Sequence, residues 1–177
     1  MIALLENDHI RLRALEPEDL MLLYRWENNS ELWSVSNTLA PYSLYALKEY
    51  IAESRKDIYE LKQLRLIIEE CPEGRAIGTI DLFDFDAHNK RAGVGILLDP
   101  AFQGGGRATE ALALLTEYAF SFLKLHQLYV HIPTDNESSK ALFTRGGFLP
   151  AGVLVDWLSV AATSNAYRDV LVMQLIR

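Results

Sequence analysis

Residues 97–115 read Leu97-Leu98-Asp99-Pro100-Ala101-Phe102-Gln103-Gly104-Gly105-Gly106-Arg107-Ala108-Thr109-Glu110-Ala111-Leu112-Ala113-Leu114-Leu115. The stretch is a strand end, a glycine turn and a helix start. Ala108, Ala111, Leu112, Leu115, Ala119 and Phe122 fall on one stripe of a helix that runs from about Arg107 to Leu123. A helix start offers free backbone N–H groups and the positive end of the dipole, so it favours an anion. Glycines let a phosphate approach without a Cβ in the way. Arg107 adds a cation at the same point. A P-loop needs Gly-Lys-Ser or Gly-Lys-Thr, and the chain has neither. A dinucleotide fingerprint follows the first strand of a parallel unit, whereas this turn follows an antiparallel hairpin. A glycine loop without a ligand stays open as the alternative.

Working outward, His9 to Arg13 alternates like a short strand. Glu16-Pro17-Glu18-Asp19 opens a helix through Leu20, Leu23 and Trp26, which ends at Asn28-Asn29-Ser30. A second helix begins at Tyr42-Ser43-Leu44. Gln63 to Glu69 and Arg75 to Phe85 read as a hairpin about Pro72-Glu73-Gly74, and Ala92 to Leu98 as a further strand. Past the long helix come a strand at Gln127 to Ile132 and a short helix at Asp135 to Arg145. Asn136 or Asp135 caps that helix and Gly146-Gly147 ends it. Strand character resumes at Phe148, with a final strand near Asp169 to Leu175. The order β-α-α-β-β-β-α-β-α-β-β places hairpins before a β-α-β crossover. This predicts an α/β (α+β) chain with no repeats or linkers, a single domain over residues 1–177.

Half of the 177 residues are hydrophobic, which suits a folded core. The net charge of −7 disfavours a nucleic-acid surface and is compatible with a cationic substrate. No apolar run approaches the ~20 residues of a membrane span. The N-terminal segment lacks the basic start of a signal peptide. The lone Cys71 cannot form an internal disulfide, and its Pro-Glu-Gly turn argues against a catalytic thiol. A cytoplasmic protein is expected.

Gln103-Gly104-Gly105-Gly106-Arg107-Ala108 matches the Q/R-x-x-G-x-G/A signature of the GNAT acyltransferase superfamily. Asn136, Phe143 and Gly147-Phe148 resemble its N-x-x-[AS]-x-x-x-[YF]…GF segment. The start, RLRALEPEDLMLLYRWENN, resembles the branch holding spermidine N-acetyltransferases and ribosomal-protein N-terminal acetyltransferases. So does the end, Tyr167-Arg168-Asp169-Val170 with Met173. The resemblance covers nearly the whole chain. It implies a mixed, mostly antiparallel central sheet with a splayed parallel strand pair and helices on both faces. It also implies acetyl-CoA as co-substrate, with no metal. The pantetheine arm would lie along Ile96, Leu97 and Leu98. The pyrophosphate would sit on the N–H groups of Gln103, Gly104, Gly105, Gly106, Arg107, Ala108 and Thr109, and Asn136, Ser139 and Phe143 would flank the arm. A homodimer is compatible with the resemblance and undecided by the sequence.

Amine acylation requires a neutral amine, an oxyanion donor and a proton for the leaving thiolate. Neutralising a lysine-like amine, of pKa ~10.4, near pH 7 costs roughly 4–5 kcal/mol. A carboxylate can take that proton, and a strand N–H such as that of Leu97 or Leu98 can face the oxyanion. Many relatives place a tyrosine where this chain has Phe143, and a glutamate where it has Gly93. Ser139 is the substitute proton donor. Asp84 and Glu27 are the carboxylates expected at the acceptor side, and Asp81 and Asp86 alternate on the same strand as Asp84. In a regular strand Asp84 and Asp86 share a face and Asp81 points the other way. His131 is expected as a packed or hydrogen-bonded histidine, with a base as the alternative, and Trp26, Trp33 and Tyr42 as core residues, with the lining of an acceptor pocket as the alternative. The expected activity is acetyl transfer to a polyamine-like amine or a peptide N-terminus. The alternative is an acyl-CoA-binding module that has lost catalysis.

Overall fold

A computed structural model describes residues 4–30, 33, 38–160 and 166–177. Strands β1 (Ile10–Arg13), β2 (Leu64–Glu70), β3 (Arg75–Asp86), β4 (Arg91–Leu98), β5 (Gln127–Pro133), β6 (Leu149–Ser159) and β7 (Tyr167–Ile176) form one sheet. Their order across it is β1-β2-β3-β4-β5-β7-β6. Every neighbouring pair is antiparallel except β4 with β5. The helices are α1 (Leu20–Glu27), α2 (Leu44–Glu53), α3 (Ile58–Leu61), α4 (Arg107–Glu117) and α5 (Glu137–Arg145). The short α3 has no counterpart in the sequence reading. The stripe expected to reach Leu123 does so, but its last turn, Tyr118–Phe122, is a π-helix.

The helices divide between the two faces because the sheet carries an apolar cluster on each. Ile80, Leu82, Ala92 and Val94 pack with Ala111, Leu112 and Leu115 of α4 and Leu142 and Phe143 of α5. On the other face, Ile67 and Leu97 meet Leu23 and Trp26 of α1 and Leu47 and Ile51 of α2. A strand buried on both faces reads as a near-continuous apolar run, as in Arg91–Leu98. Among the described residues, the second face is covered only in part. Phe83, Gly93, Tyr129, Gly95 and Asp81 share it beyond the reach of α1 and α2, by the register Asp81↔Gly95, Phe83↔Gly93 and Gly93↔Tyr129.

β4 and β5 pair over only Arg91↔Gln127, Ala92↔Leu128 and Gly93↔Tyr129. From Val94 and Val130 onward they part, so a gap opens toward Leu98 and the glycine turn. The Asp99 N–H donates to Ile77 O at 2.9 Å, so the backbone groups of Asp99, and by alternation those of Leu97 and Gly95, face β3. Those of Val94, Ile96 and Leu98 therefore face the gap.

Candidate active site

The glycine turn meets the gap at its open end. Gly104 has φ +85° and Gly106 φ +80°. Both are left-handed, a conformation that costs other residues about 1–2 kcal/mol. A Cβ at Gly104, Gly105 or Gly106 would meet nothing within 4 Å. The glycines thus answer to backbone angle and leave open space beside them. Gly106 caps α4 without a side-chain hydrogen bond, so the first-turn N–H groups of Arg107, Ala108 and Thr109 are available to an anion.

Arg107 differs from its expected role. Its guanidinium lies 3.2 Å from Glu70 and 3.0 Å from Glu110. The Glu70 hydrogen bond is the largest of the effects raising its pKa. Its charge is matched within the fold, so the anion site rests on backbone dipoles. Gln103 folds back, its Nε2 3.4 Å from Leu98 O. Asp99 opens the turn: it caps Ala101 N–H at 3.1 Å and accepts the Trp26 indole N–H at 2.9 Å. That indole bond, first among the causes, holds the Asp99 carboxyl below its ordinary range. It also pins α1 to the end of β4.

Of the arm-pairing positions, Ile96 and Leu98 turn their backbone to the gap. Leu97 turns its own toward β3, so of the two oxyanion donors considered only Leu98 faces the gap. Asn136 caps α5, accepting from Ser139 N–H at 3.1 Å and Ser138 Oγ at 3.0 Å. Ser139 is half-buried, and its hydroxyl makes no hydrogen bond among the described residues. Phe143 is buried, its ring edge-on to Phe148 at 5.0 Å.

The carboxylates distribute differently from the sequence expectation. The strand is not regular: β3 bulges between Phe83 and Asp86, and Asp84 has φ +48°. Asp86 turns to Asn89 and Arg91, while Asp84 lies close enough to Tyr129 for its charge to act on the phenol. Burial first, and the Asp84 charge second, push that phenol up. Asp81 is gripped by Arg65 through both oxygens, at 2.8 and 2.9 Å. The same Arg65 holds Glu27 at 2.7 Å. Burial works against the Arg65 charge, and Asp81 more than offsets it, so its pKa is raised. Its guanidinium lies 5.4 Å from the Tyr50 ring centre, and burial pushes the Tyr50 phenol up to about 12. Two carboxylates thus share one guanidinium beside the uncovered face, with Asp84 nearby.

His131 is exposed, the opposite of the packed histidine expected. Trp26 is core, as expected; Trp33 donates to Glu27 O at 2.8 Å, and Tyr42 is partly exposed. Among the described residues no cluster of His, Cys, Asp or Glu is arranged to hold a metal, and no helix is long and apolar enough to cross a membrane. A concavity of about 420 Å³, lined by Tyr59, Phe85, Lys90, Phe122 and Lys124, lies at the closed end of the parallel pair, away from the glycine turn.

A gap between parallel strands, unpaired backbone along one wall and an anion-binding turn at its mouth together suit an extended, amide-bearing thioester with a pyrophosphate tail. The family described as acetyltransferase (GNAT) domain matches residues 9–149. The spermidine N(1)-acetyltransferase of Vibrio cholerae is 27% identical over 97% of this chain and 95% of its own length. The putative ribosomal N-acetyltransferase YdaF of Bacillus subtilis is 28% identical over 97% and 93%. The crystal structure of the Vibrio cholerae spermidine N-acetyltransferase, in complex with CoA and spermine, superposes with a TM-score of 0.85 at 26% identity, covering 96% of each chain. The residues present fit a CoA thioester: open glycines, an uncapped helix start and gap-facing Ile96 and Leu98. The chain belongs to the GNAT acetyltransferase family and is an acetyl-CoA-dependent N-acetyltransferase with an amine acceptor.

Proposed function

We propose that residues 1–177 form one acetyltransferase domain whose acceptor is a small polyamine-like cation, acylated by direct attack while acetyl-CoA is bound. The observation that carries this reading is the three-pair limit of the β4–β5 ladder, which sets the gap beside a face rich in carboxylates. Asp84, Glu27 and Asp81 outnumber Arg65 there, so the field draws an ammonium ion in. Relatives named for spermidine, and the neighbour that holds spermine, support the same class.

The roles follow from placement. Thr109 and the turn N–H groups bind the pyrophosphate, and Ile96 and Leu98 align the arm. The Leu98 N–H is available to the oxyanion. The Ser139 hydroxyl, which makes no hydrogen bond among the described residues, would protonate the leaving thiolate, a task that Phe143 cannot perform. Asp84 and Glu27 attract the acceptor. The reaction suits a reducing compartment that holds acetyl-CoA, such as the cytoplasm. Two copies are proposed to pair through β6. That strand ends the sheet, and Leu149, Val153, Val155 and Trp157 on it are each more than half exposed (70, 53, 72 and 57%). Sedimentation of the parent and of a Val155→Lys variant tests this, with the variant expected to be the lighter species.

Thiol release from acetyl-CoA, measured with spermidine, spermine and short peptides, tests the acceptor. Turnover of the polyamines and none of the peptides is expected. Turnover of peptides alone supports the N-terminal acceptor suggested by the ribosomal relative. A melting-temperature rise with acetyl-CoA but no thiol release supports a binding module without catalysis.

A further inference from the structure

The uncovered face of the sheet has no carboxylate at its centre. A Cβ on Gly93 would sit 2.4 Å from the Phe83 ring, so the ring occupies the space a longer residue would need. A Cβ on Gly95, one step nearer the gap, would lie 3.6 Å from Asp81 Oδ2, an ordinary contact. The open floor for an acceptor nitrogen is therefore over Gly95. The carboxylates around that floor are engaged: Asp81 and Glu27 by Arg65, and Asp84 beside the Tyr129 phenol. Both Asp81 oxygens and one Glu27 oxygen already accept hydrogen bonds from the Arg65 guanidinium.

Across the gap stands His131. The parallel register ends at Gly93↔Tyr129; continuing its count by two residues puts Gly95 and His131 at matching positions on the two sides of the opening, with side-chain positions on the same face. Tyr129 and His131 share a strand face, with ring centres 5.5 Å apart. The imidazole is exposed and makes no hydrogen bond or ion pair among the described residues. Side chains face this position from three other strands: Asp81 and Asp84 on β3, only glycines at 93 and 95 on β4, and Val172 with flanking Val170 and Gln174 on β7. Beyond the strand end, Asp135 and Arg168 pair with each other at 3.3 Å.

We propose that His131 is the catalytic base, taking the proton of the acceptor ammonium over Gly95. This rests on the acetyl-transfer reading above. A neutral imidazole ring nitrogen accepts one proton from R–NH3+, leaving R–NH2. The nitrogen lone pair attacks the thioester carbonyl, forming C–N, and the C–S bond then breaks. The second ammonium proton passes to the thiolate, by way of the Ser139 hydroxyl, and His131 returns its proton to water. The sum is R–NH3+ and acetyl-CoA giving the amide, free CoA and one proton. Imidazole is the side chain suited to this exchange near neutrality. Phe83 supports the arrangement by filling the room above Gly93 and confining the nitrogen to Gly95.

The test compares parent, His131→Ala and His131→Gln with two acceptors: spermidine, cationic at pH 7, and a hydrazide, already neutral there. With spermidine, kcat of both variants is expected to fall about 100-fold. Acetyl-CoA affinity stays within twofold, and added imidazole restores at least a tenth of the parent rate to His131→Ala. With the neutral acceptor the defect shrinks to under about fivefold, because no proton need leave first. A merely structural histidine gives equal defects for both acceptors and no rescue, and that result overturns the assignment. So does parent-like kcat in both variants. A parent that turns over neither acceptor defeats the acetyl-transfer reading itself.

Discussion

Gly104 and Gly106 hold left-handed backbone with open space around them, whereas Gly93 and Gly95 sit in a strand beneath Phe83 and Asp81. The first pair is glycine because of its own torsion angles; Gly93 is glycine because the Phe83 ring occupies the space beside it, while Gly95 keeps room for an ordinary contact. The same division separates the two sides of the cleft. On the proposed placement the donor side would bind through N–H and C=O groups that every residue carries, so its side chains could drift while the turn geometry persists. The acceptor side works through particular side chains, and a change on one strand is answered on the next.

The comparison can be broken most forcefully at Arg65. Arg65→Met leaves Asp81 and Glu27 without their partner and is expected to cost about 3–5 kcal/mol. For a chain of this size that lowers Tm by about 10 °C, read by thermal melting. A drop under ~2 °C would show that the acceptor side does not depend on that cluster. On the donor side, Gly104→Asp places a side chain at φ +85° and a carboxylate beside the pyrophosphate. Acetyl-CoA binding is expected to weaken about 30-fold, or about 2 kcal/mol, measured by titration calorimetry. Gly93→Ala is expected to cost about 1–2 kcal/mol through overpacking against Phe83. In a Phe83→Ala background the same change should be nearly free. A denaturant-unfolding double-mutant cycle measures that coupling, and additivity would refute the neighbour argument. The smallest effect is expected from Arg107→Ala. Its charge is already matched by Glu70 and Glu110, so acetyl-CoA affinity should fall less than about fivefold.

Sequence carries the donor side well because its signals are local. Glycines, a helix stripe and an Asn cap each act within a few residues, and together with the strand order they placed the gap. The acceptor side was less legible because its determinants cross strands. Alternation along 75–85 put Asp84 with Asp86, but the bulge at Asp84 turns it toward Tyr129. Nothing near residue 107 in the sequence shows that Glu70, 37 positions away, meets its charge. His131 read as a packed histidine because it lies on a core strand, but it shares its face with the half-buried Gln127 and Tyr129, whereas Leu128, Val130 and Ile132 take the buried face. A stronger signal was available in the pairing of Phe83 with Gly93, a bulky ring opposite a bare strand position, once the hairpin register is counted from its turn.

The early end of the β4–β5 ladder has a consequence for how far this protein can be stabilised. The ladder stops after three pairs, and on the proposed placement of the arm along Ile96 and Leu98 its missing rungs would be supplied by a small molecule that comes and goes with each turnover. Each further residue of direct pairing between the two strands would make the empty protein sturdier and would close the berth proposed for the cofactor. On that placement the enzyme is held short of its own most stable sheet, and the cofactor would serve as a removable eighth strand.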